Sequence, residues 1–239
     1  MPYYYGIDMT YLLLVLPCVL FSLWASASVN STFKKYSSQI SSRRLTGAQA
    51  AQRVLIANGV RNVRIERVSG NLTDHYDPTT NVIRLSDSVY DSPSTAAIGV
   101  ACHEAGHAVQ YAQNYGPIKL RAAIIPITNI GSRLSMPLIL VGLLLAAFSE
   151  ISTFIVYLGI ACFGLTLLFQ LVTLPVEFNA SRRAIVAIEQ AGLLTEEEQK
   201  GAKRTLRAAA MTYVAATAVA LAQLLRLILL FGNRSRRRD

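Results

Sequence analysis

Four long apolar runs decide what this chain of 239 residues can become. They cover residues 12–29, 137–148 with an upstream continuation past Arg133, 151–174 and 211–231. A helix of about 20 apolar residues crosses the ~30 Å hydrocarbon layer of a bilayer. In lipid every backbone N–H and C=O must find a partner inside the segment, which makes such runs helical. Hydrophobic residues make up 52% of the chain and charged residues only 15%, the balance of a membrane protein. The second run has the shortest fully apolar stretch, and Pro137 is expected to kink it. The first run carries Ala25-Ser26-Ala27, which imitates a signal-peptidase site, but residues 1–10 hold no Lys or Arg and Lys34 and Lys35 follow the run instead. A cleavable signal has its charge in front, so the run reads as an uncleaved anchor with an outside N-terminus.

Two polar blocks, residues 30–123 and 175–208, alternate with these runs. Only Ser149 and Glu150 separate the second run from the third, which predicts a helical hairpin through the bilayer. A hairpin returns the chain to the side it left, so both polar blocks face one compartment and can build one site. Lys34, Lys35, Arg43, Arg44, Lys119, Arg121, Arg182, Arg183, Lys203, Arg204 and Arg207 all fall on that side. The positive-inside rule makes it cytoplasmic and predicts a multi-pass protein of the inner, cytoplasmic membrane. Arg226 and the tail residues Arg234, Arg236, Arg237 and Arg238 run against the rule if the fourth run spans; the alternative is a last helix lying in the interface. The net charge of +9 clusters beside apolar runs, so lipid headgroups account for it better than nucleic acid, and no nucleic-acid partner is expected. The expected divisions are an anchor at 1–30, a polar domain at 31–123, a transmembrane hairpin at 124–174, a polar helix and connector at 175–208, and a last helix with a basic tail at 209–239.

The first polar block has clear local signals. Thr46 and Gln49 make a capping box for a helix that Gly59 stops. Residues 63–68 alternate as a strand, 69–80 read as a loop, and 82–85 read as a second short strand. Ser92, with Pro93 in the first turn, is expected to cap a helix that ends near Gly116-Pro117. Downstream, Pro175 is expected to start a helix that Gly192 ends, and Thr195 with Glu198 to cap a helix running into the fourth apolar run.

The helix after Ser92 carries His103-Glu104-Ala105-Gly106-His107, an H-E-x-x-H motif. Positions i and i+4 share a helix face, so two imidazoles reach one ion. Glu104 stands beside that ion without binding it and can take a proton from water. The chain has only three histidines and two are here. A catalytic zinc takes three protein ligands and keeps one open position. The remaining candidates are His75, Asp74, Asp77, Asp87, Asp91 and Glu177; the hairpin topology favours Glu177, just past its second arm. Three cysteines form no disulfide framework or Cys-x-x-Cys pair, and Cys102, about 100° around the helix from His103, is read as a packing residue.

Three strings carry a family resemblance: Leu72-Thr73-Asp74-His75-Tyr76-Asp77-Pro78, His103-Glu104-Ala105-Gly106-His107-Ala108-Val109-Gln110, and Gln170-Leu171-Val172-Thr173-Leu174-Pro175-Val176-Glu177-Phe178-Asn179-Ala180-Ser181. The chain resembles the YugP-like neutral zinc metallopeptidases of bacterial membranes over nearly its whole length. Its layout is also similar to the HtpX-type membrane gluzincins, whose third ligand is the Glu of a Glu-x-x-Ala-Asp motif. Ser181 stands where that motif has Asp, and it can still accept a bond from an imidazole N–H, more weakly.

The resemblance implies a mostly α membrane protein with four apolar helices and a small α+β gluzincin-like zinc metalloprotease domain. It implies Zn²⁺ held by His103, His107 and Glu177, with Glu104 as general base. It also implies a sheet whose edge strand pairs with an extended peptide, for which residues 82–85 are the candidate. His75 and Tyr76, in the loop ahead of that strand, are candidate oxyanion donors; His75 reads equally well as a turn residue with an exposed imidazole. The expected partners are a peptide or membrane-protein substrate and the lipid bilayer. The rival functions are a zinc-binding membrane scaffold or regulator without turnover, against which Glu104 argues, and a transporter, against which the scarcity of polar groups in mid-run argues.

Overall fold

The computed structural model describes residues 8–147 and 151–235. The hairpin joint Ser149-Glu150 and the tail residues Arg236, Arg237 and Arg238 lie outside them. The protein is mostly helical, with four long apolar helical segments and a small mixed sheet. Among the described residues six α-helices follow in order: α1 (Leu16–Ser37, after a π-helical turn Tyr11–Val15), α2 (Gly47–Ala57), α3 (Thr95–Ala112), α4 (Gly116–Leu144), α5 (Ile151–Gln190) and α6 (Glu196–Ser235). Three strands lie between α2 and α3: β1 (Arg64–Val68), β2 (His75–Asp77) and β3 (Val82–Ser86). Tyr11–Ser37, Gly116–Leu144, Ile151–Gln190 and Glu196–Gly232 are each long and apolar enough to cross a membrane.

The chain divides into two compact units. The first comprises Met1–Trp24, Leu120–Leu174 and Tyr213–Asp239. Its core is Ile139, Val156, Ile160 and Leu227, from α4, α5 and α6. Gly142 and Gly159 let α4 and α5 approach closely: a Cβ on Gly142 would stand 2.9 Å from the Ser152 carbonyl oxygen, and one on Gly159 2.9 Å from that of Ser135. Helices in lipid associate through such small residues because lipid supplies no hydrophobic drive between them. Arg226 of α6 is paired: its Nε donates to Asp8 Oδ2 at 2.7 Å, and its guanidinium lies 5.5 Å from the Tyr11 ring centre.

The second unit comprises Ala25–Lys119 and Pro175–Thr212 and holds every residue of the H-E-x-x-H motif. Its core gathers Val54 and Leu55 of α2, Ile83 and Leu85 of β3, Ile98, Ala101 and Ala105 of α3, and Ala184 and Ile188 of α5. The capping boxes form as the sequence predicts. Thr46 accepts from the Gln49 N–H at 3.2 Å while Gln49 Oε1 accepts from the Thr46 N–H, and Thr195 and Glu198 do the same on α6. Gly59 follows α2 with φ +72°, the left-handed conformation that glycine takes without a steric cost.

Three local expectations need correction. Residues 82–85 are not an edge strand. The sheet order is β1-β3-β2, so β3 is central, parallel to β1 and antiparallel to β2. The edge is taken by His75-Tyr76-Asp77, inside the segment read as a loop; three polar residues are too short to show alternation. Second, α3 is capped by Ser94, not Ser92. The Pro93 carbonyl accepts from the Ser41 N–H and the Thr95 N–H donates to Gln39, so the chain stays extended through Ser94, in a bridge with Ile40, and the helix begins after it. Third, Pro175 lies within α5 and does not start it. An interior proline costs about 3 kcal/mol. Downstream, Val176, Ala180, Ala184 and Ile188 form a fully buried stripe at four-residue spacing. Burying Val and Ile side chains contributes roughly 1.5–3 kcal/mol each, enough to offset the lost hydrogen bond.

Candidate metal centre

α3 and the downstream half of α5 build the site. α3 starts where Ser94 Oγ accepts from the Ala97 N–H at 3.2 Å, and its small residues Ala96, Ala97, Gly99 and Ala101 let neighbours pack against it. His103 and His107 follow on one face. On α5, Glu177 and Ser181 have the same four-residue spacing and point at the two rings. The helices approach closely because Gly106 has no side chain: a Cβ there would lie 2.8 Å from the Ala180 carbonyl oxygen.

Glu177 Oε2 is 3.3 Å from His103 Nε2 and 3.5 Å from His107 Nε2. One ligand atom from each of the three residues lies within 4.8 Å of the others. Two donors that share a zinc at ~2.0–2.2 Å in a tetrahedral arrangement sit ~3.4 Å apart, which is the spacing seen between the carboxylate and each ring. Two imidazoles and one carboxylate are also a donor set that suits zinc. Among the described residues the group has three donors, the number that leaves a zinc coordination position open.

Each ring is held from behind. His103 Nδ1 is 3.1 Å from Ser181 Oγ, and His107 Nδ1 is 3.0 Å from Gln110 Oε1. A metal-ligating histidine commonly donates its second N–H in this way, which fixes ring orientation. Ser181 therefore stands at the position the resemblance implied. Gln110 had no assigned role in the sequence, where it closes the string that carries the two motif histidines.

Glu104 is 8% exposed. Burial pushes its carboxyl up to about 7; the charge of His103 opposes the rise, those of Glu177 and Asp74 add to it, and a bond from the Tyr76 backbone N–H opposes it. β2 is an outer strand of the sheet, with Tyr76 opposite Ile83 of β3, and the Tyr76 ring lies 5.6 Å from that of Tyr111 on α3.

The other sequence candidates are engaged elsewhere. Asp74 accepts from Ser86 N at 2.8 Å and Ser86 Oγ at 2.9 Å, and burial raises its pKa. Asp77 accepts from Thr79, Thr80 and Arg84. Asp87 and Asp91 both pair with Arg67, at 2.7 and 2.9 Å. His75 is exposed, and its Nδ1 donates to the Thr73 carbonyl at 2.9 Å. The Tyr76 hydroxyl donates to Asn81 Oδ1 at 2.7 Å. Cys102 is fully buried in the core, and burial pushes its thiol up.

Comparison with known proteins agrees with this geometry. A family described as "putative neutral zinc metallopeptidase" matches residues 11–232. A relative from Bacillus subtilis (strain 168), named "putative membrane protease YugP", is 45% identical over 225 residues, which cover 94% of this chain and 98% of the relative. No solved structure matches the chain.

Proposed function

This chain belongs to the neutral zinc metallopeptidase family, and from that membership we propose a zinc-dependent endopeptidase of the cytoplasmic membrane that cuts peptide bonds at the cytoplasmic face. The observation that carries the reading is the convergence of His103, His107 and Glu177 beside a buried Glu104. His103 Nε2, His107 Nε2 and Glu177 Oε2 would hold the ion. Zinc held there supplies Lewis acidity, which acidifies water and polarises a carbonyl oxygen. Glu104 takes a proton from the attacking water and delivers it to the leaving amine. A general base works best with a pKa near the operating pH, and burial moves the Glu104 carboxyl that way.

The substrate lies extended along the free edge of β2, bonded through main-chain groups, which gives weak sequence preference. β2 is an outer strand and its Tyr76 ring lies 5.6 Å from that of Tyr111 on α3, the helix that carries Glu104, which supports this placement. An oxyanion donor besides the ion is expected to contribute ~2.7–4 kcal/mol. His75 and Tyr76 remain the proposed donors; each has its N–H or O–H on a protein oxygen, so substrate must exchange for that bond.

The functional division follows the chain: anchor at 1–30, zincin-like domain at 31–123, hairpin at 124–174, third-ligand helix at 175–208, last helix at 209–239. The basic residues flanking the polar blocks support a cytoplasmic site. The ion pair of Arg226 with Asp8 supports a spanning fourth helix, because a paired charge costs less in lipid than a lone one.

The test is cleavage of an unfolded protein by the purified chain in detergent. Chelation should abolish cleavage and added zinc restore it. Zinc uptake without cleavage would turn the reading to a scaffold.

A further inference from the structure

Gln110 has no exposed surface, and its amide makes three bonds. Oε1 meets His107 Nδ1 at 3.0 Å. Nε2 donates to the Val176 carbonyl at 2.9 Å and to Asn179 Oδ1 at 3.0 Å. Which end of a glutamine amide is oxygen is ordinarily ambiguous, but here the chemistry decides it. The Val176 carbonyl can only accept, so it must face the NH₂ group. Asn179 Oδ1 also accepts from Arg183 Nε at 2.7 Å, which makes it an acceptor as well. Gln110 Oε1 is left facing His107, and an oxygen there requires a proton on Nδ1. The lone pair of the neutral ring then sits on Nε2, the atom 3.5 Å from Glu177 Oε2.

The same amide therefore touches both halves of the centre. It sets the protonated nitrogen of one ring on α3 and grips the carbonyl of Val176, the residue before Glu177 on α5. We propose that Gln110 is a positioning residue that fixes the His107 tautomer and holds the Glu177 segment of α5 in register with α3. This rests on the reading of His107 and Glu177 as zinc ligands. Ser181 of α5 meets the other ring, at His103 Nδ1, 3.1 Å away.

Three arms test it on the full chain in detergent. In the metal-free wild type, selective ¹⁵N-histidine spectra should show a proton on His107 Nδ1, whether the ring is neutral or also carries one on Nε2 toward Glu177; a ring protonated on Nε2 alone would overturn the proposal without any variant. Gln110→Met removes both functions of the amide and should lose the Nδ1–H tautomer. Its zinc affinity, read by competition with a chelator, should fall ~10–100-fold. Gln110→Glu keeps an acceptor for Nδ1–H but loses both donors, so it should retain the tautomer and still bind zinc more weakly. A folded Gln110→Met chain with wild-type zinc affinity and the Nδ1–H tautomer would overturn the proposal. If Gln110→Met does not fold, unchanged zinc affinity in Gln110→Glu would refute the link to α5. A wild type that takes up no zinc would refute the zinc reading instead, while the metal-free spectra would still decide the role of Gln110.

Discussion

Gly106 of α3 faces the backbone of Ala180 of α5 so closely that a Cβ would stand 2.8 Å from the Ala180 carbonyl oxygen and 3.4 Å from its Cα. The obstacle is backbone, which cannot swing aside as a side chain would. Glu177 and Ser181 flank Ala180, so this contact sets how near the carboxylate comes to the rings. Gly106→Ala should destabilise the protein by about 1–3 kcal/mol through overpacking and should also weaken zinc binding. Thermal unfolding in detergent with and without zinc reads both effects. Gly116→Ala, where nothing beyond the chain neighbours and the helix's own backbone lies within 4 Å of the added Cβ, is the control and should leave zinc binding unchanged.

Ser181→Ala removes the partner of His103 Nδ1 and should lower zinc affinity by about tenfold while preserving the fold. Ser181→Asp offers a charged acceptor at the same place and should match or exceed wild-type affinity. A chelator competition series measures both; equal affinity in wild type and Ser181→Ala would remove Ser181 from the account.

Asp77 organises the turn after β2 through Thr79, Thr80 and Arg84, and those bonds hold its carboxyl below the usual range. Its folded pKa is thus lower than its unfolded one. The stabilisation it provides is complete above the ordinary carboxylate pKa of ~3.9 and is lost as pH falls through the folded value. Asp77→Ala should speed amide exchange in β2 at neutral pH, and wild type and variant should converge in strong acid. Identical exchange at neutral pH would show that the turn does not depend on this carboxylate.

Gly70 lies in an exposed loop of the unit that carries the centre. A reporter inserted there should be found in the cytoplasm. Periplasmic labelling would reverse the proposed orientation and leave the metal chemistry untouched.

The apolar runs and the H-E-x-x-H motif were legible because each depends on residue type and spacing alone. Glu177 was legible by a longer route: a hairpin was expected to return residues past its second arm to the motif, and the carboxylate lies beside both rings. β2 was hidden because His75, Tyr76 and Asp77 pair with β3 over too short a stretch to impose a pattern, and missing it put β3 at the edge. Pro175 read as a helix start because one proline is a strong local signal; the stripe from Val176 to Ile188 that outweighs it acts only once the core exists. Gln110 was invisible for a related reason. Nothing about a glutamine three residues after a histidine announces that its other end will meet the Val176 carbonyl.

Metal analysis of three purified chains tests the central claim most directly. Wild type and Glu104→Gln should each carry about one zinc per chain, the first cleaving an unfolded protein and the second inert, while Glu177→Ala should carry far less. Full zinc in Glu177→Ala, or undiminished cleavage by Glu104→Gln, would contradict the account.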